Sequence, residues 1–184
     1  MMIRWFARRG LDKFERDWNY DVSYLREILD EVGVAGLQPL QAMQKLAAVR
    51  RGVPVDVYCA AAITSAIMAD CGPCAQLGVT MAERQGVDPS LLRTLVRGDR
   101  DALPSHVRPA VDLARGALLR DGSGDEAREE ILRRWGRRGL VTLSAAIVAA
   151  QTFPTFKYAL GYGRACVRLR VAGDEVPVRA LVPV

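Results

Sequence analysis

The chain has 184 residues, 50% of them hydrophobic and 26% charged, with a formal net charge of +5. That supports one ordinary core, with or without an extension, and needs no disulfide staples. The basic excess is small and spread along helices with no aromatic-interleaved recognition motif, so nucleic acid is not an expected partner.

Nothing reads as a leader or a membrane span. Met1 to Arg9 is basic but lacks the roughly 7–15-residue apolar stretch that follows the charges of a secretory signal. The longest apolar runs, 57–69 and 140–150, fall short of the ~20 residues needed to cross a bilayer. A reducing, cytoplasmic setting is expected. There the four cysteines, Cys59, Cys71, Cys74 and Cys166, are not structural bridges.

Apolar residues recur with helical spacing along most of the chain. A first helix is predicted over 3–18. Its Trp5, Phe6, Phe14 and Trp18 are expected to pack on the domain or on another subunit rather than on a lipid surface. Asp21 is placed to cap a second helix, with Tyr24, Leu25, Ile28 and Leu29 as its buried stripe and Gly33 at its end. Leu37, Leu40, Met43 and Leu46 mark a third. Pro54 opens a fourth, Ala-rich helix to about Ala69, whose small side chains favour close helix packing. A fifth covers 75–85, and Asp88-Pro89 supplies the N-cap and first residue of a sixth over 90–96. Pro104-Ser105 opens a seventh, with Val107, Val111, Leu113, Leu118 and Leu119 buried. A short charged helix over 125–135 precedes a long apolar one from 139 to about 161, expected to break or bend at Pro154. The tail alternates and turns at Ala172-Gly173-Asp174-Glu175, which predicts a hairpin with Pro177 on an edge strand. The expected division is a helical extension over 1–53 packed on the core, a helical core over 54–165, and a tail or hairpin over 166–184.

The chemistry-bearing motif is Cys71-Gly72-Pro73-Cys74. With Cys71 at a helix N-cap, Gly72 and Pro73 fall in the first turn, where the missing proline N–H has no intrahelical partner to lose. The two sulfurs then share one helix face, close enough to form a disulfide. The unpaired N–H groups of the turn favour a thiolate at Cys71. Zinc is not expected, because no second ligand pair accompanies the cysteines and the single histidine, His106, is distant in sequence. Thioredoxin carries the same tetrapeptide, but after a β-strand, whereas here an Ala-rich helical pattern precedes it.

The order of helix, short turn, CxxC, helix and Gly86-Val87-Asp88-Pro89 resembles the alkylhydroperoxidase D-like branch of the carboxymuconolactone decarboxylase superfamily. The likeness runs from about 54 to 163. It rests on Asp70-Cys71-Gly72-Pro73-Cys74, Ala82-Glu83-Arg84-Gln85-Gly86-Val87 and Val111-Asp112-Leu113-Ala114-Arg115. It implies an all-α, homo-oligomeric bundle that reduces a peroxide or disulfide substrate with electrons from a dithiol donor, using no cofactor and no metal. It also implies that Cys74 attacks peroxide to become a sulfenic acid and that Cys71 resolves it to a disulfide. The family's glutamate and histidine fall at Cys59 and Gly78, so its proton relay is missing. Asp56, Asp70 and Glu83 are candidate substitutes, and Cys59 is a candidate third redox thiol. Each also reads as an ordinary cap, surface carboxylate or small buried residue. Cys166 is expected to pack at the end of the last helix, and His106 to be a first-turn polar residue. The competing expectation is a non-catalytic or redox-sensing helical oligomer that has lost the relay. A decarboxylase of the sister branch finds no proton-donating or lactone-binding residues in its support.

Overall fold

The computed structural model describes residues 2–179. In chain order these form α1 (Met2–Trp18), α2 (Ser23–Glu31), α3 (Val34–Ala47), α4 (Val55–Met68), α5 (Gly72–Arg84), α6 (Pro89–Val96), α7 (Arg108–Leu119) and α8 (Asp125–Ala159). A two-stranded antiparallel sheet follows, β1 (Arg168–Val171) and β2 (Asp174–Pro177), with Arg168 opposite Pro177. The fold is therefore all-α with a short terminal hairpin, as the periodicity predicts.

Two apolar clusters organise it. The larger surrounds α4, which packs against α5, α7 and α8. Ala60, Ala61 and Ala66 let those neighbours come close, and Ile63, Leu92, Ile131 and Leu143 are buried among them. Each such large aliphatic contributes roughly 1.5–3 kcal/mol by burial. The smaller cluster lies on α2 and α3, with Phe14 and Trp18 of α1 on one side and Leu77 and Phe153 on the other. Arg26 bridges α1 and α2 through Asp12 at 2.8 Å and through Glu15. Partly exposed pairs of this kind contribute only about 0–1 kcal/mol, so Leu11, Phe14 and Trp18 do most to seat α1. Trp5 and Phe6 stay 51% and 62% exposed, so of the four N-terminal aromatics only Phe14 and Trp18 pack on this domain.

Three expectations shift. The interruption in α8 lies at Gly136 (φ 63, ψ −169), which divides it into helical pieces over 125–135 and 137–159. Glycine takes that positive φ without a Cβ penalty. Dihedrals stay helical through Pro154, whose ring removes one backbone hydrogen bond from a helix held by packing on α3 and α4. By length and composition α8 is long and apolar enough to cross a membrane, and just under half of that stretch is buried. The seventh helix opens at Arg108, after a 3-10 turn at Arg100–Ala102. Leu119 at its end is exposed, where Arg120 turns left-handed (φ 58).

A close backbone approach closes the far end of α7. A Cβ on Gly116 would lie 2.1 Å from the Gly124 nitrogen. Gly116→Ala is expected to displace the 121–124 turn and lower stability by roughly 1–3 kcal/mol. A denaturant midpoint equal to that of the parent would show that the turn yields freely.

Candidate functional site

The dithiol forms where α4 ends and α5 begins. Asp70 takes a left-handed conformation (φ 49), and Cys71 is the extended N-cap of α5 (φ −105, ψ 92). Gly72 and Pro73 occupy the first turn, as the tetrapeptide predicts. The segment after α8 then crosses over this turn. Gly72 N–H donates to the Arg164 carbonyl at 3.0 Å, and a Cβ at residue 72 would meet the Ala165 oxygen at 2.7 Å. The crossing therefore requires glycine. Asp70 fastens it, accepting from Cys166 N–H at 2.8 Å, while the Tyr158 hydroxyl donates to the Asp70 carbonyl at 2.9 Å. Cys71 is left fully buried beneath the crossing segment, and Cys74 is half-buried on the wall of a cavity.

That cavity, of about 570 Å³, lies between the two apolar clusters. Cys59 and Gly78, the positions matching the family's glutamate and histidine, line it together with Cys74. Among the described residues neither a glutamate nor a histidine lines it.

Three side chains that sequence reading missed meet at Cys74. Tyr20 Oη lies 3.7 Å from Cys74 Sγ and 3.5 Å from Tyr24 Oη. Lys157 Nζ donates to Tyr20 Oη at 3.5 Å and sits 4.6 Å and 5.1 Å from the centres of the Tyr20 and Tyr24 rings. These contacts are at the long end of the hydrogen-bond range. They connect a 1%-exposed ammonium to the accessible sulfur through one phenol. Local chemistry delivers the tyrosines. Asn19 ends α1 with a left-handed turn (φ 47), which asparagine tolerates better than most residues. Asp21 accepts from Ser23 N–H at 2.9 Å and from its hydroxyl at 2.6 Å, opening α2. Lys157 comes from the buried stripe Leu143, Ala146, Ala149, Pro154 of α8. A lone cation at helical spacing on an apolar stripe was the signal for it.

The two thiols share one proton unequally. The Cys74 thiol beside it holds Cys71 down to about 7; burial opposes this, while the Cys74 backbone N–H and the Lys157 charge assist. Cys74 is pushed up, because Cys71 keeps the charge and because of burial; Tyr20 and Lys157 pull the other way. The pair therefore loses its first proton near neutrality as a unit. Burial pushes Cys59 up to about 11 and Cys166 up to about 12, so both stay thiols at neutral pH.

No protein-family model, curated protein or solved structure matches this chain. A functional reading thus rests on the motif and this geometry.

The other candidates serve elsewhere. Asp56 pairs with His106 Nε2 at 2.7 Å, and that histidine lies in the turn before α7 rather than in a first helical turn. Asp70 holds the crossing segment, and Glu83 accepts from Ala172 N–H at 2.6 Å, tying the hairpin to α5. None of the three carboxylates lines the cavity, whereas Cys59 does. Cys166 is buried in the crossing segment beside Gly72.

Proposed function

We propose that the protein is a thiol-dependent peroxidase or disulfide reductase of the helical, alkylhydroperoxidase D-like kind. One observation carries the reading: the accessible Cys74 faces a cavity while touching Tyr20, which touches Lys157. Tyr20 and Lys157 stand in for the missing glutamate and histidine. Cys71, one helical turn away, accepts the Cys74 proton, and the Tyr20 hydroxyl with Lys157 behind it stabilises the Cys74 thiolate that results. The thiolate attacks one peroxide oxygen and the O–O bond breaks. The departing alkoxide takes a proton from Tyr20, which Lys157 replaces. Cys74 is now a sulfenic acid. The Cys71 sulfur attacks it, and hydroxide leaves with the Cys71 proton as water. A dithiol donor reduces the disulfide by exchange.

Titration of the reduced protein with a hydroperoxide tests this. The expected result is one equivalent consumed per chain and a Cys71–Cys74 disulfide in the peptide map. The rate should rise through a midpoint near 7, because below it Cys71 is protonated and the pair carries no negative charge. Thiols left unchanged by excess peroxide would overturn the reading. They would favour the alternative, a non-catalytic helical protein, which the full burial of Cys71 supports.

A further inference from the structure

Among the described residues Arg50 is the one charged side chain lining the cavity, and no aspartate or glutamate lines it. Gln41, Gln44, Ala48 and Arg50 are exposed, so the cavity meets solvent at this end. Tyr20, Tyr24, Leu37, Cys59 and Ile63 on its wall are buried. Among the described residues Arg50 has only neutral partners, the Gln85 side-chain oxygen and the Tyr58 ring at 4.8 Å. Helix α5 forms one wall, contributing Cys74, Leu77, Gly78 and Met81, with Gln85 at its C-cap. At about 1.5 Å of rise per residue, Cys74 and the Arg50–Gln85 end lie ~16 Å apart. The wall between them is apolar.

A long apolar volume with a single cation at its open end matches one kind of ligand: an amphiphile with one negative terminus. A guanidinium favours a carboxylate in particular, because its parallel N–H donors meet both oxygens. We propose that the cavity binds an aliphatic monocarboxylate, with its head on Arg50 and its chain running toward Cys74. The binding site stands on the cavity alone. That the bound chain is a hydroperoxide, with its O–O bond far from the carboxylate and close to Cys74, rests on the proposed function.

Calorimetric titration of the reduced full chain with dodecanoate and with methyl dodecanoate tests the site. The acid is expected to bind at one equivalent, about tenfold or more tighter than the ester, and Arg50→Gln is expected to remove that preference. Gln44→Glu gives a second handle that leaves Arg50 in place. It sets a like charge at the mouth and should weaken the acid but not the ester. The double variant Cys71→Ser/Cys74→Ser should bind the acid as the parent does. No binding of dodecanoate, or equal affinity for acid and ester in the parent, overturns the site. The two readings separate cleanly. Dodecanoate binding without peroxide consumption removes the peroxidase and keeps the site. Reduction of tert-butyl hydroperoxide without dodecanoate binding does the reverse.

Discussion

Cys74→Ser is expected to abolish peroxide consumption, whereas Cys71→Ser should leave one slow turnover that ends in a sulfenic acid. The asymmetry follows from access and charge. Cys74 is the member of the pair on the cavity wall, and Cys71 is fully buried beneath the segment that follows α8. Without the Cys74 sulfur no peroxide meets a poised thiol. Cys59 also faces the cavity, but burial holds it up to about 11, so its thiolate is scarce at neutral pH. Without the Cys71 sulfur, Cys74 can still be oxidised, but it has lost the group that accepts its proton. Its rate at neutral pH should fall about tenfold or more, since only the thiolate attacks. The product has no partner thiol and should be trapped by a sulfenic-acid reagent in the tryptic peptide holding residue 74. Undiminished consumption by Cys74→Ser, with Cys71 oxidised instead, would exchange the two roles. It would also mean that the crossing segment opens, because peroxide cannot otherwise reach Cys71.

The parts of this site written in local sequence were legible, and the parts assembled at long range were not. The helix preceding the cysteines, the N-cap at Cys71 and the proline in the first turn are all settled by neighbours a few residues apart. Periodicity and capping rules reach that far. The tail hairpin was visible for the same reason, through alternation around one turn. Tyr20 and Lys157 are separated by 137 positions, and no local rule brings a residue of the N-terminal extension onto the last helix. Helical patterning sorts side chains into buried and exposed faces, but it does not say which buried face meets which. The break in α8, like the hairpin, was legible in local sequence: the division expected between 135 and 139 falls at Gly136, and only the bend expected at Pro154 is absent. The sequence carries both glycine and proline as breakers in this region, and the structure uses the glycine. Its neighbourhood is polar and exposed, while Pro154 sits where apolar packing supports the helix around it. The three acidic residues considered near the cysteines were real features put to another use. They fasten the crossing segment, the hairpin and His106.

Lys157→Met is expected to make the protein more stable and less reactive at once. Lys157 is 1% exposed, and among the described residues its Nζ has one hydrogen-bond partner, Tyr20 Oη, and no carboxylate. A desolvated ammonium in such a place costs several kcal/mol, which two ring faces offset only in part. Methionine follows the same path with a soft apolar chain, so replacing the buried charge should raise stability by about 1–3 kcal/mol. The chemistry should move the other way. The Lys157 charge favours both thiolates of the pair. Removing it raises the first ionisation above its present value of about 7, so less thiolate is present at neutral pH. The rate there should fall in step with the lost thiolate. It should recover as the pH is raised through the new midpoint, a rescue that damaged packing would not produce. A variant that is less stable than the parent would mean that the ammonium holds the fold together. A variant with an unmoved midpoint and an unmoved rate would reduce Lys157 to packing and leave Tyr20 alone beside Cys74. The joint outcome, a higher melting temperature with a pH-rescued loss of rate, is the signature of a charge kept in the core for the sulfur it faces.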